Sequence, residues 1–99
     1  MKNVLIRLTN MKKVRLGRGI AEFRQRVNLS QRQLAEKVGV TEPYLSRLEE
    51  GCVDEFESAT LEKIALALGV CKRGTLTSYE QLVDLFLDVS KDERPMLIL

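Results

Sequence analysis

What most constrains this chain is its punctuation. Between residues 30 and 69, residues that start helices and residues that stop them alternate at short intervals. Ser30 stands three residues before Gln33, the spacing of a capping box. Gly39 follows as a left-handed stop. Thr41 is placed to cap a second helix, with Pro43 in the first turn, where its missing N–H costs nothing. Gly51 ends that helix. Thr60 is placed to cap the next one and Gly69 to close it. Helices this short are marginal alone and must bury an apolar face against one another. The pattern predicts a small all-α bundle.

The apolar positions agree. Leu34, Ala35 and Val38 form one helical face, Leu45 and Leu48 a second, and Leu61, Ile64, Ala65 and Leu68 a third. Upstream, Ile20, Phe23 and Val27 predict a helix over 17–27, ended at Asn28. Downstream, Ser78 with Gln81 three residues later starts a fifth helix, which Pro95 limits. Its Leu82, Val83, Leu85, Phe86, Leu87 and Val89 leave few polar positions, so it needs cover on more than one side. A second subunit is the expected lid; the N-terminal segment folding over it is the alternative. Val4, Ile6 and Leu8 alternate with Leu5, Arg7 and Thr9, which fits a short strand or a flexible arm. A strand there would need a partner such as 96–99 or a second subunit. Residues 52–59 read as an acidic loop and 71–77 as a polar link. The expected organisation is a basic N-terminal arm or strand over 1–15, a helical domain over 16–70, and a C-terminal helix with an apolar tail over 71–99, serving dimerisation.

Ninety-nine residues make one domain. The chain has no His, which removes the commonest general base and metal ligand. Its two cysteines, Cys52 and Cys71, lie too far apart for a CxxC pair, so a reduced, cytoplasmic protein is expected. With no Gly-rich phosphate loop and no carboxylate cluster at ligand spacing, no enzyme, cofactor or metal is expected. No apolar run is long enough to cross a membrane. Arg7 cuts the apolar start below the length of a signal-peptide core. The net charge is only +2 but is unevenly spread. Residues 1–50 carry eleven Lys/Arg and five Glu, whereas 51–99 carry five Lys/Arg and nine Asp/Glu. A basic N-terminal half suits a polyanion, or is simply a solvated face.

The order of residues narrows this further. Leu29-Ser30-Gln31-x-x-Leu34-Ala35, then Gly39-Val40-Thr41, then Leu45-Ser46-x-Leu48-Glu49-x-Gly51, then Leu61-x-x-Ile64-Ala65-x-Ala67-Leu68-Gly69-Val70 all fall in register. Over residues 16–70 the chain closely resembles the Cro/repressor-like (XRE-type) helix-turn-helix DNA-binding family. The resemblance implies a compact five-helix, lambda-repressor-like fold with a short N- or C-terminal strand as an addition. It implies a transcription regulator, a repressor acting as a homodimer on double-stranded DNA. The helix at 42–50 would enter the major groove and the helix at 31–38 would lie across the backbone.

Site residues follow from that docking. Gln31 would meet a phosphate at the N-terminus of its helix, with Arg32 beside it. Thr41, Glu42, Pro43, Tyr44, Ser46 and Arg47 point away from the core by periodicity. Arg47 suits a phosphate or a guanine edge, Tyr44 a thymine methyl or a phosphate, and Glu42 a cytosine amino group. Arg24 and Glu49 correspond to a pair that many relatives join across two helices, a scaffold rather than a contact. The loop Asp54-Glu55-Phe56-Glu57 departs from the family, which carries basic residues there. Lys12, Lys13 and Arg15 are candidate arm contacts that would replace the lost ones. The alternative reading keeps the fold but gives it a protein partner such as a toxin, held by the acidic loop and the apolar ends.

Overall fold

A computed structural model describes residues 3–71 and 79–91, with side chains to residue 87. The described elements run β1 (Leu5–Arg7), α1 (Asn10–Arg26), α2 (Gln31–Val38), α3 (Glu42–Glu49), β2 (Glu55–Glu57), α4 (Ser58–Leu68) and α5 (Tyr79–Lys91). The five helices and the short N-terminal strand agree with the sequence reading. Ser78, Pro95 and the apolar tail lie outside the described residues.

Helix α2 starts and stops as the sequence predicts. The Ser30 side chain accepts from the Gln33 N–H, and the Gln33 side chain accepts from the Ser30 N–H. Gly39 ends α2 with φ 87°, a conformation other residues adopt only with strain. Thr41 caps α3 by accepting from the Tyr44 N–H at 3.2 Å. Asn28, also left-handed at φ 60°, turns the chain out of α1.

Helix α1 is longer than expected. It begins at Asn10, because the Thr9 hydroxyl accepts from the Lys12 N–H at 3.3 Å. The residues read as a basic arm therefore make up β1 and the first turns of α1. Two glycines inside this helix cost roughly 1 kcal/mol each in propensity, and packing explains them. A Cβ on Gly17 would meet the carbonyl oxygens of Leu48 and Glu49, and one on Gly19 would meet that of Phe86. Their absence lets α1 lie directly against the end of α3 and along α5.

That contact corrects the expectation for α5. Leu82, Val83, Phe86 and Leu87 are buried within one chain. Phe86 meets Phe23 of α1 edge to face, with ring centroids 5.7 Å apart. No second subunit is needed to cover them. The cover is α1, on the side of the alternative in which the chain's own N-terminal part lies over α5.

The acidic loop is also corrected. Its residues 55–57 form β2, antiparallel to β1, with Leu5 opposite Glu57, Ile6 opposite Phe56 and Arg7 opposite Glu55. Ile6 and Phe56 are buried while their neighbours stay exposed, the two-residue alternation of a sheet with one inner face. Helix α4 starts at Ser58, ahead of the expected cap at Thr60, and no side chain of its own caps it. Asn3 supplies the cap from across the chain. Its Oδ1 accepts from the Ala59 N–H at 3.0 Å and from the Ser58 hydroxyl at 3.3 Å. Val4 and Ser58 complete the clasp, the Val4 N–H donating to Ser58 Oγ at 2.9 Å and the Ser58 N–H to the Val4 carbonyl at 2.8 Å.

Candidate nucleic-acid interface

Leu34, Ala35 and Val38 of α2 and Leu45 and Leu48 of α3 are buried in the core. The α2–α3 corner is closed by Gly39 and by Val40, whose N–H donates to the Ala35 carbonyl at 3.1 Å. With these faces turned inward, the opposite side of α3 is left to solvent. Thr41, Glu42, Pro43 and Arg47 are exposed, and Tyr44 and Ser46 are half-buried. Tyr44 packs against the core. Burial first, and then the Glu57 carboxylate, pushes its phenol above the ordinary value of 10.0. The hydroxyl therefore stays protonated and able to donate at neutral pH.

The orientation of α3 is held by a buried ion pair. Arg24 of α1 grips Glu49 with both arms of its guanidinium, Nε to Oε2 at 2.7 Å and Nη2 to Oε1 at 3.0 Å. Its third donor, Nη1, bonds the Leu29 carbonyl at 2.9 Å, just ahead of α2. The side chains are 13% and 6% exposed, so removing either leaves a charge poorly solvated. Glu49 also accepts from Gln31 Nε2 at 2.9 Å. One carboxylate thus ties α1, the first residue of α2 and the end of α3 together. The scaffold role expected for Arg24 and Glu49 is what the geometry provides. The tie to Gln31 escaped the sequence reading, because nothing local marks a contact between side chains eighteen positions apart.

The basic residues sort into engaged and open. Arg32 forms an exposed ion pair with Glu36 at 3.5 Å, and Arg26 one with Glu22 at 3.6 Å. Lys13 is engaged with the acidic segment, its Nζ donating to Asp54 Oδ1 at 2.6 Å. That hydrogen bond, then the Lys13 charge, holds the Asp54 carboxyl below its usual value of 3.8. Arg7 bonds Glu55 across the sheet. Two carboxylates of the departing segment are therefore neutralised from within the chain. Lys12 is exposed on α1, and Arg15 lies half-buried one helical turn from Met11, on the side of α1 that also carries Val14. These three residues do not form an arm.

Among the described residues, no group of three His, Cys, Asp or Glu could hold a metal, and no helix is long and apolar enough to cross a membrane. Cys52 and Cys71 are free thiols. Burial, then Glu62, pushes the Cys71 thiol above its ordinary value, away from the reactive thiolate.

Two short helices joined by a glycine turn, one buried through its apolar face and the next presenting an outward polar face, define a helix-turn-helix module. The helix-turn-helix family matches residues 20–73, more than half of the chain, and the chain belongs to that family. Among solved structures, the chain is similar to the clp gene regulator ClgR from Corynebacterium glutamicum. The identity is 25% and the TM-score 0.62, over 86% of this chain and 82% of that one. None of the curated proteins matches the chain. Fold, family and structural relative agree on a DNA-binding transcription regulator rather than an enzyme.

Proposed function

We propose that this protein is a sequence-specific transcription regulator that inserts α3 into the major groove and represses by occluding a promoter. The observation that carries this reading is the exposed edge of α3, from Thr41 to Arg47, on a helix held to α1 and α2 by Arg24, Glu49 and Gln31. Glu42, Pro43 and Tyr44 sit in the first turn of α3, the part that reaches base edges in this docking mode. Arg47 lies further along the helix, where phosphate is its better partner. Gln31 at the start of α2 directs its amide toward Glu49, which fixes it beside the free N–H groups that a phosphate would meet. Lys12 and Arg15 add positive charge on α1. A single reading helix specifies few base pairs, so the working form is a homodimer on half-sites about 34 Å apart.

A protein partner held by the acidic segment finds less support, since Asp54 and Glu55 already have basic partners inside the chain. Fluorescence anisotropy on the duplex upstream of the protein's own gene, with a scrambled duplex as control, tests the proposal. Preferential and salt-sensitive binding supports it. Weak, salt-independent binding to both duplexes overturns it.

A further inference from the structure

We propose that Glu57 is a specificity-determining residue of the DNA-binding face: its carboxylate, set beside α3 by β2, repels the phosphate backbone and so keeps binding dependent on base contacts. This inference rests on the DNA reading of the preceding section. Glu57 ends β2 opposite Leu5, on the outer side of the sheet, while Phe56 beside it is buried. It also occupies the N-cap position of α4, where the helix dipole favours an acidic side chain. Yet it makes no capping bond, and Asn3 from the clasp takes the Ala59 N–H instead. Its neighbours in the segment are neutralised, Asp54 by Lys13 and Glu55 by Arg7. Glu57 is exposed, and its side chain forms no ion pair or hydrogen bond among the described residues.

The charge left standing faces the reading helix. Tyr44 of α3 lies within electrostatic reach of two opposite charges, and after burial the Glu57 carboxylate raises its phenol while Arg47 lowers it. Arg47 belongs to α3 and Glu57 to the sheet. The outer face of α3 is therefore edged by a cation of its own and by an anion from the neighbouring element. A helix seated in the major groove, about 12 Å wide, has phosphates along both walls. A carboxylate edging that helix stands within about one Debye length of them, about 8 Å at physiological salt. The repulsion is weak and indifferent to sequence, because phosphates carry no sequence information. It falls on every duplex, and the contacts of α3 with base edges offset it only on the right one.

Anisotropy on the upstream and scrambled duplexes across a salt series tests this with Glu57→Gln and Glu57→Lys. Thermal unfolding checks that both variants fold. Glu57→Gln is expected to tighten binding to both duplexes by about threefold at physiological salt, and Glu57→Lys by about tenfold. The lysine variant should also steepen the salt slope by about one. Glu80→Gln removes the same charge from an exposed position on α5 and should change little. Absorbance titration of the phenols gives a readout without DNA: Glu57→Gln should lower the Tyr44 pKa, which Tyr44→Phe identifies. Affinities unchanged by both Glu57 substitutions, or a control as potent as Glu57→Gln, would overturn the proposal and leave the DNA reading intact. So would a Glu57→Gln loss confined to the upstream duplex, which would make Glu57 a base reader. An unmoved phenol titration would overturn it by placing Glu57 away from Tyr44. A wild type that binds neither duplex at any salt removes the DNA reading, and the proposal with it.

Discussion

The helix-turn-helix and the clasp at the N-terminus are built by opposite means. From Ser30 to Gly51, starts and stops are set by side chains bonding backbone three residues away and by left-handed glycines. The clasp joins residues 3–7 to residues 55–59, and each of its bonds closes a loop of about fifty residues. The module that meets DNA is thus largely locally specified, and the segment behind it depends on the finished fold. Each region borrows one element from the other's style. Helix α3 needs the distant Arg24, and β1, which ends at Arg7, is followed by Thr9, an ordinary local cap for α1.

The largest expected effect falls on the one distant contact of the helix-turn-helix. Glu49→Ala strands Arg24 in a site from which it reaches little water and releases Gln31, costing about 3 kcal/mol. Urea unfolding of the single variants and of Arg24→Ala/Glu49→Ala checks this, and the double variant should lose less than the sum of the singles. Additive losses would mean that the grip holds nothing in place. Gly19→Ala comes next, at about 1–3 kcal/mol of overpacking despite a better helix propensity, because the new methyl meets the α5 backbone. A rise in Tm would show that α1 and α5 do not press together there.

Two smaller effects probe the clasp. Asn3→Ala removes the start cap of α4 and should cost about 1 kcal/mol in urea unfolding, while Thr60→Ala should cost little. The reverse order would return the cap to a local residue and erase the contrast between the regions. Asp54 gives the smallest effect. Its carboxyl titrates lower in the folded chain than in the unfolded one, so the stabilisation is present above the ordinary value of 3.8 and is lost as pH falls through the lowered folded value. Asp54→Asn should lose a small stabilisation at neutral pH, converge with the wild type once Asp54 is protonated below about pH 4, and so flatten the acid limb. An acid limb identical to the wild type would show that Lys13 lends Asp54 nothing.

What could be read from residues alone follows the same division. Ser30, Gln33, Gly39 and Thr41 announced α2 and α3 because their partners lie within one turn. Tyr44 and Arg47 could be placed on the outer face from helical period alone. Thr60 was a plausible local cap for α4, but Asn3 reaches Ala59 from 56 positions away, and no local pattern encodes that. The six basic residues of 1–18 looked like an arm for a polyanion. Charge count cannot show that Lys13 and Arg7 are engaged by Asp54 and Glu55, two carboxylates of the loop that departs from the family. Gly17 and Gly19 carry no local signal of their role, and only the neighbouring α3 and α5 backbones explain why α1 keeps them.

The central claim is that sequence is read by the outer face of α3. Its most direct test is anisotropy of the wild type and of Glu42→Ala/Arg47→Ala on the upstream duplex and on its scrambled control. Both residues are exposed, so the fold should be unaffected. The wild type should prefer the upstream duplex, and the double variant should lose about 1–3 kcal/mol of that binding while its Tm stays unchanged. A double variant that keeps both the affinity and the preference of the wild type would contradict the reading and move recognition off α3.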